Sequence, residues 1–126
     1  MFSHVMVGAN DVNASKTFYD AILGTLGIPP GKVDAKGRVF YMTKTGVFAI
    51  TKPINGEPAS AANGSTIGFA VESPEQGNAW HAAGVGSGGT ACEDSPGLRE
   101  SPMGALYLAY LRDPAGNKIC ALKRMA

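Results

Sequence analysis

The chain has 126 residues, of which 44% are hydrophobic, and its formal net charge is +1. This length and composition predict one compact domain, and the small net charge excludes the broad positive field that nucleic-acid binding needs. No apolar stretch approaches the roughly 20 residues that cross a bilayer, and no signal peptide is apparent. We therefore expect a cytoplasmic protein that binds neither nucleic acid nor membrane, with Cys92 and Cys120 as free thiols.

The first half of the chain predicts a strand, a helix and a hairpin. The predicted elements are a strand at 3–9, a helix at 11–23, a loop at 27–37 and strands at 38–43 and 47–52. Apolar residues recur at helical spacing in the helix, and Asn10 or Asp11 can cap it. The turn Lys-Thr-Gly between the last two strands is typical of a hairpin.

The second half repeats this order after a linker of small residues at 53–65. Its predicted elements are a strand at 66–71, a helix at 74–83, a long polar loop, and strands at 105–111 and 118–123. At an offset of 62 residues, His4 aligns with Thr66, and Phe18-Tyr19 aligns with Trp80-His81. The offset indicates that the two halves are copies of one unit.

Each copy of about 60 residues would be marginally stable alone, so we expect the copies to share a core. They would form modules of about residues 1–55 and 64–126 within a single domain of residues 1–126. Two units of this kind predict an α+β fold with helices on one face of the sheets. The opposite, concave face is then free to line a pocket.

Motifs at both ends of the chain resemble a known family. HVMV at residues 4–7 and SKTFY at residues 15–19 are similar to the opening of the vicinal oxygen chelate superfamily. This superfamily contains glyoxalases, bleomycin resistance proteins and extradiol dioxygenases. DPAGNKI at residues 113–119 is similar to its closing signature. The resemblance implies tandem βαβββ modules that form a curved, partly open mixed sheet around a cavity, commonly completed as a homodimer.

The resemblance also implies four metal-ligand positions, two in each module, which family enzymes fill with His and Glu. Carried onto this chain, they fall on His4, Ala49, Thr66 and Cys120. A methyl group stands at the second position, a hydroxyl at the third and a thiol at the fourth. Because a catalytic divalent ion needs three or four nitrogen or oxygen ligands, we expect a degenerate site and no metal cofactor.

Several residues are candidates for binding a ligand. The set is His4, Phe40, Thr66, Arg99, Tyr110 and Cys120. Phe40 and Tyr110 would supply aromatic cavity walls, with ordinary core packing as the alternative. Arg99 lies in the polar segment 92–104, a possible flap, where it could hold a carboxylate or remain a solvated surface residue.

Two of these residues also carry possible chemistry. His4 could act as a general base, or it could be a half-buried polar residue with a neighbouring partner. Cys120 could be a nucleophile or simply a small wall of the pocket. His81 is expected on a helix outside the sheet.

These observations predict a small-molecule-binding protein of the glyoxalase and bleomycin-resistance type. The missing carboxylate ligands favour it. The alternative is a glyoxalase-like lyase or isomerase, either metal-free and using His4 or holding a metal through residues of the flap. A third interpretation is an interaction domain whose open sheet pairs with its own copy.

Overall fold

In a computed structural model that describes residues 1–125, the chain forms two mixed β-sheets and two helices. The elements are β1 (His4–Gly8), α1 (Val12–Gly24), β2 (Lys32–Val33), β3 (Val39–Thr43), β4 (Gly46–Thr51), β5 (Ile67–Ala70), α2 (Pro74–Val85), β6 (Thr90–Ala91), β7 (Gly97–Arg99), β8 (Leu106–Arg112) and β9 (Lys118–Arg124). The predicted α+β class is confirmed. The sheets do not close into a barrel. Neither helix in this range is long and apolar enough to cross a membrane.

Each half of the chain builds one sheet, and the two sheets have matching topologies. The first has the strand order β1-β4-β3-β2, with β1 and β4 parallel. The second has the order β5-β9-β8-β6, with β5 and β9 parallel, and β7 also pairs with β8. His4 begins β1 and its aligned residue Thr66 directly precedes β5, so the repeat in the sequence corresponds to a repeat in the structure.

Helix α1 begins at a side-chain cap and buries one face. The Asp11 carboxylate accepts a 3.0 Å hydrogen bond from the backbone N–H of Ala14, so Asp11 is the capping residue. Asn10 has a different role, because its side-chain oxygen accepts a bond from the backbone of Ala59 in the linker. The buried face of α1 carries large apolar and aromatic side chains, among them Phe18 and Tyr19.

Helix α2 has few large apolar residues, and its backbone lies close against the second sheet. Trp80 is its one large fully buried side chain in the described chain. A Cβ atom added at Gly77 would lie 2.2 Å from the ring of Tyr107 on β8, and one added at Gly84 would lie 2.4 Å from Leu111. The glycines therefore let this helix pack directly against the second sheet.

One core contains buried side chains from both modules. The rings of Phe48 on β4 and Phe69 on β5 meet edge to face with centroids 5.3 Å apart. The Tyr19 hydroxyl of the first module donates a 2.6 Å hydrogen bond to Asp113 of the second. Because the core crosses the boundary between the halves, burial in each module depends on the other.

Three short strands were not expected. β2 lies within the predicted loop at 27–37, and β6 and β7 lie within the long polar loop of the second half. β7 pairs with β8, so residues 97–99 belong to the sheet and not to a loose flap. Each of these strands has only two or three residues and depends on pairing with β3 or β8, so local periodicity does not reveal it.

Candidate functional site

Each sheet has one face toward the helices and the core, and we call the opposite side its open face. Along β1, Val5 and Val7 pack into the core, so His4 and Met6 lie on the open face. The register places Ala49 of β4 beside Met6, and Phe40 of β3 beside Ala49. His4, Ala49 and Phe40 therefore share the open face of the first sheet.

The open face of the second sheet holds the other candidates. Gly68 on β5 pairs with Cys120 on β9, which pairs with Tyr110 on β8. Arg99 pairs with Leu106, which lies on the same side of β8 as Tyr110. Thr66, two residues before Gly68, precedes β5 on this side. The six candidates are thus divided between two sheets.

The four positions implied for a metal do not supply a suitable set of ligands. Ala49 offers a methyl group and is 0% exposed, while the exposed Thr66 offers only a hydroxyl. Cys120 is 6% exposed, and burial raises the pKa of its thiol although Lys118 opposes this shift. Within residues 1–125, no three His, Cys, Asp or Glu side chains are grouped so that they could hold a metal ion.

His4 is the one nitrogen ligand left at these positions, and its side chain is exposed. Its Nδ1 atom lies 2.8 Å from the hydroxyl of Ser3, within hydrogen-bond distance. The imidazole is therefore oriented by a neighbour in sequence while it remains open to solvent.

Tyr110 is half-buried and surrounded by charged groups. The Lys118 ammonium lies 4.9 Å from the centre of its ring and also forms an ion pair with Glu93. Burial raises the pKa of the Tyr110 phenol, so this ring presents a neutral hydroxyl. His81 approaches the same strand from helix α2. Burial lowers the pKa of its imidazole, and a hydrogen bond to the backbone of Tyr110 opposes that shift.

Arg99 is occupied by its own segment. Its Nη2 atom donates to the backbone carbonyls of Asp94 at 3.2 Å and Ser95 at 3.0 Å. These bonds hold the chain between β6 and β7 in a tight bend. An anion at this position would compete with the two carbonyls for the guanidinium.

A cleft is lined by β1, β5, the β3–β4 hairpin and the end of α1, and we call it the seam cleft. Its volume is about 420 Å³. The walls are apolar and come from both modules, including Leu26, Phe48, Ile67 and Phe69. His4 is the only one of the six candidates among its lining residues in the described chain. The sequence predicted this residue but not the walls around it.

A second, broader cleft of about 1060 Å³ lies at the C-terminal end of β1, and we call it the basic cleft. Its cations are Lys36, Arg38 and Lys52, and none of the six candidates lines it. Sequence reasoning missed it because Lys36 falls in the predicted loop at 27–37, whereas Arg38 and Lys52 fall at the ends of two predicted strands. Their occurrence within 17 residues of one another was the only available signal.

The chain is similar to solved structures of one family. A glyoxalase/bleomycin resistance protein from Albidiferax ferrireducens T118 is 64% identical, with a TM-score of 0.95, over 98% of this chain and 99% of that one. A glyoxalase/bleomycin resistance protein/dioxygenase family enzyme from Burkholderia phytofirmans PsJN is 15% identical, with a TM-score of 0.73, over 98% of both chains. A lactoylglutathione lyase from Agrobacterium tumefaciens is 20% identical, with a TM-score of 0.66, over 97% and 92%. The last two likenesses show the fold alone.

Among curated proteins, none matches this chain. The family model described as Glyoxalase/Bleomycin resistance protein/Dioxygenase superfamily matches residues 1–121. This span includes the first module, most of the second, and both motifs on which the resemblance rests. The chain therefore belongs to the Glyoxalase/Bleomycin resistance protein/Dioxygenase superfamily.

Proposed function

We propose that the protein binds a small organic molecule in the seam cleft without using a metal ion. The observation that carries this proposal is the position of His4. The one nitrogen ligand at the implied positions lines a cleft whose other walls are mainly apolar side chains of both modules. Such a site combines many apolar contacts with a few polar groups, as small-molecule sites commonly do.

The size and chemistry of the seam cleft suit a flat, apolar molecule with one polar end. Its volume of about 420 Å³ falls in the range of small-ligand pockets. Its polar side chains are His4, Thr43, Thr45 and Tyr41, and the Tyr41 hydroxyl already donates a hydrogen bond to Asp20. The outer edges of β1 and β5 also lie along the cleft, and unpaired edges present backbone N–H and C=O groups.

The chemistry of the implied ligand positions supports binding without a metal. A divalent ion with one imidazole would still need carboxylates or further imidazoles. Ala49 supplies neither, and a buried, protonated thiol at Cys120 is a poor ligand because the thiolate is the form that binds metals. We therefore propose that affinity comes from apolar contact and hydrogen bonding.

We also propose that the protein is a homodimer whose interface covers the open faces. Met42 exposes 64% of its surface on the open face of the first sheet. Apolar surface of this kind commonly marks an interaction site, and a second copy could bring candidates of the two sheets together.

We further propose a cytoplasmic location, which the free thiols of Cys92 and Cys120 favour.

Titration with 2-naphthol, a flat apolar probe with one hydroxyl, tests the proposed site. We expect saturable backbone amide shifts in nuclear magnetic resonance spectra around Leu26, Ile67 and Phe69, unchanged by chelator treatment. His4→Ala should weaken binding by up to about tenfold, the value of one hydrogen bond. Thr66→Ala is the matched control, because this exposed residue does not line the cleft.

Two results would contradict the proposal. One is binding that disappears after chelation and returns with added zinc or nickel. The other is a set of shifts located away from the seam cleft. Equal losses in His4→Ala and Thr66→Ala would show that the imidazole has no specific role.

A further inference from the structure

The basic cleft is formed by four parts of the first module that are separate in sequence. Met6 comes from the end of β1, and residues 10–13 from the start of α1. Val33 and Lys36 come from the β2–β3 hairpin, and residues 51–54 from the chain after β4. None of the residues that line the basic cleft lines the seam cleft. It is therefore a separate concave surface.

Positive charge is concentrated in this cleft. Its lining carries three cations and one carboxylate, Asp11, in a chain whose formal net charge is +1. The Asp11 carboxylate already accepts the capping hydrogen bond from Ala14. The remaining N–H groups at the start of α1 add partial positive charge.

The three cations are not equivalent. Arg38 pairs with Asp34 through Nε at 2.7 Å and Nη2 at 2.6 Å, and its guanidinium lies 5.4 Å from the centre of the Phe40 ring. These contacts fix its position and offset most of its charge. Lys36 and Lys52 form no ion pair within 4.0 Å in residues 1–125. Their ammonium groups are the cations available to a ligand.

Exposed apolar side chains stand beside these lysines. Val33 is 58% exposed, Ile54 is fully exposed, and Met6 lies at the same cleft. Apolar surface in contact with water is unfavourable, and a ligand with an apolar body would cover part of this surface. Ammonium groups next to apolar surface fit a molecule that has both an anionic end and an apolar body.

We infer that the basic cleft binds a small organic anion. Lys36 and Lys52 contact its carboxylate or phosphate oxygens, and Val33, Ile54 and Met6 contact its apolar body. This is a second binding activity beyond the proposed function, because it uses different residues and a different class of ligand.

The test compares three probes that share one ring system: 2-naphthoate, 2-naphthyl phosphate and neutral 2-naphthol. Amide shifts are followed in nuclear magnetic resonance titrations of the full chain at low and high salt. We expect at least one anionic probe to shift amides around Lys36 and Lys52, with affinity that falls as salt rises. Comparison of the two anions shows which head group is preferred.

Charge reversal provides the matched variants. Lys36→Glu with Lys52→Glu should weaken anion binding by about tenfold or more, as loss of charge-assisted hydrogen bonds would. Lys44→Glu with Arg124→Glu makes the same change in net charge at exposed positions outside both clefts, and it should change affinity by less than about twofold. Lys36→Gln with Lys52→Gln, which introduces no new charge, should also bind weakly.

Several results would overturn the inference. The first is that neither anion produces a saturable shift, and the second is that the shifts produced by the anions are confined to the seam cleft. The third is that the two charge-reversed pairs lose equal anion affinity, and the fourth is that the basic cleft binds 2-naphthol as tightly as the anions. The proposed function is tested separately, by whether 2-naphthol shifts the amides that surround the seam cleft.

Discussion

The hydroxyl of Tyr19 donates a 2.6 Å hydrogen bond to the buried carboxylate of Asp113, across 94 positions of sequence. The same carboxylate accepts bonds from the backbone N–H groups of Ala115 and Asn117, and from the Asn117 side chain. That side chain also donates to the carbonyl of Gly8 at 3.0 Å. These bonds join α1 and β1 of one module to the β8–β9 turn of the other.

Tyr19→Phe should destabilise the protein, because it removes one partner of a buried carboxylate. Asp113 is 4% exposed, so water cannot replace the lost donor. Burial raises the pKa of the Tyr19 phenol, so the hydroxyl is a donor at all ordinary pH values. We expect the free energy of unfolding in urea to fall by about 1–3 kcal/mol.

Tyr107→Phe is the control for this substitution. The Tyr107 hydroxyl donates a 2.7 Å hydrogen bond to Asn78. Asn78 is exposed to solvent, so water can replace the lost donor. We expect a loss of about 1 kcal/mol or less. If Tyr107→Phe lowered the free energy of unfolding as much as Tyr19→Phe, the hydrogen bond between the modules would contribute no more than a bond near the surface.

The sequence predicted the fold because its signals were repeated. The offset that aligns His4 with Thr66 correctly related β1 to β5, and the motif at 113–119 begins in the turn between the predicted last two strands, β8 and β9. The motifs that suggested the family are the ones that join the modules. Phe18 and Tyr19 pack in the core, and Asp113 organises its turn. They identify the fold while leaving the function open.

The clefts could not be predicted, because each depends on segments brought together only by folding. Leu26 and Ile67 line the same seam cleft because the two modules pack together, and no periodicity in the sequence describes that packing. Lys36 lies in a predicted loop and Lys52 ends a predicted strand, and folding of the first module places them in one cleft. The six predicted site residues are divided between the two sheets and do not form one group, so their shared role in binding remains a prediction.

Gly77→Ala should destabilise the protein although alanine favours helices. The new methyl group would lie 2.2 Å from the Tyr107 ring, so α2 or the ring must move. Overpacking of this kind costs about 1–3 kcal/mol, against a gain of up to about 1 kcal/mol in helix propensity. A urea titration should therefore show a net loss of stability.

Gly24→Ala provides the comparison. Gly24 is the last residue of α1, and a Cβ atom there would have no neighbour within 4 Å. We expect a neutral effect or a gain of up to about 1 kcal/mol. A stabilising Gly77→Ala would show that the contact between α2 and β8 is looser than described.

Asp20→Asn should alter the dependence of stability on acid. Burial alone would raise the pKa of the Asp20 carboxyl, but hydrogen bonds from Lys16, Gly31 and Tyr41 outweigh it and lower this pKa. A lowered folded-state pKa stabilises the protein above the unfolded value of about 4, and this stabilisation is lost as pH falls through the folded value.

The variant should therefore be less stable at neutral pH and should lose less stability on acidification below about pH 4. Thermal unfolding of both proteins across this range measures the difference. Asp94→Asn removes an exposed carboxylate as a control and should follow the wild type. An unchanged acid response in Asp20→Asn would remove this carboxyl as a cause of acid sensitivity.

Met42→Lys should weaken the proposed homodimer. Met42 is 64% exposed on the open face of the first sheet, and an interface there would have to bury the new ammonium group. We expect sedimentation to give a dissociation constant at least about tenfold higher than that of the wild type. Val85→Lys places the same charge at a 50% exposed position at the end of α2, and it should leave the dimer intact. A monomeric wild type at micromolar concentration would rule out the dimer.

The purified protein should retain no stoichiometric divalent metal, and His4→Ala should leave its metal content unchanged. A single imidazole holds such an ion weakly, and the buried position of Ala49 leaves no room for a carboxylate without displacing its neighbours Met6 and Phe40. Elemental analysis after dialysis measures zinc, nickel and iron per chain in the wild type, in His4→Ala and in Cys120→Ser. About one equivalent in the wild type, lost in His4→Ala, would mean that this imidazole binds a metal with ligands from elsewhere, and binding without a metal would be wrong. An equivalent lost in Cys120→Ser alone would instead assign the metal to a thiolate, against the raised pKa of this thiol.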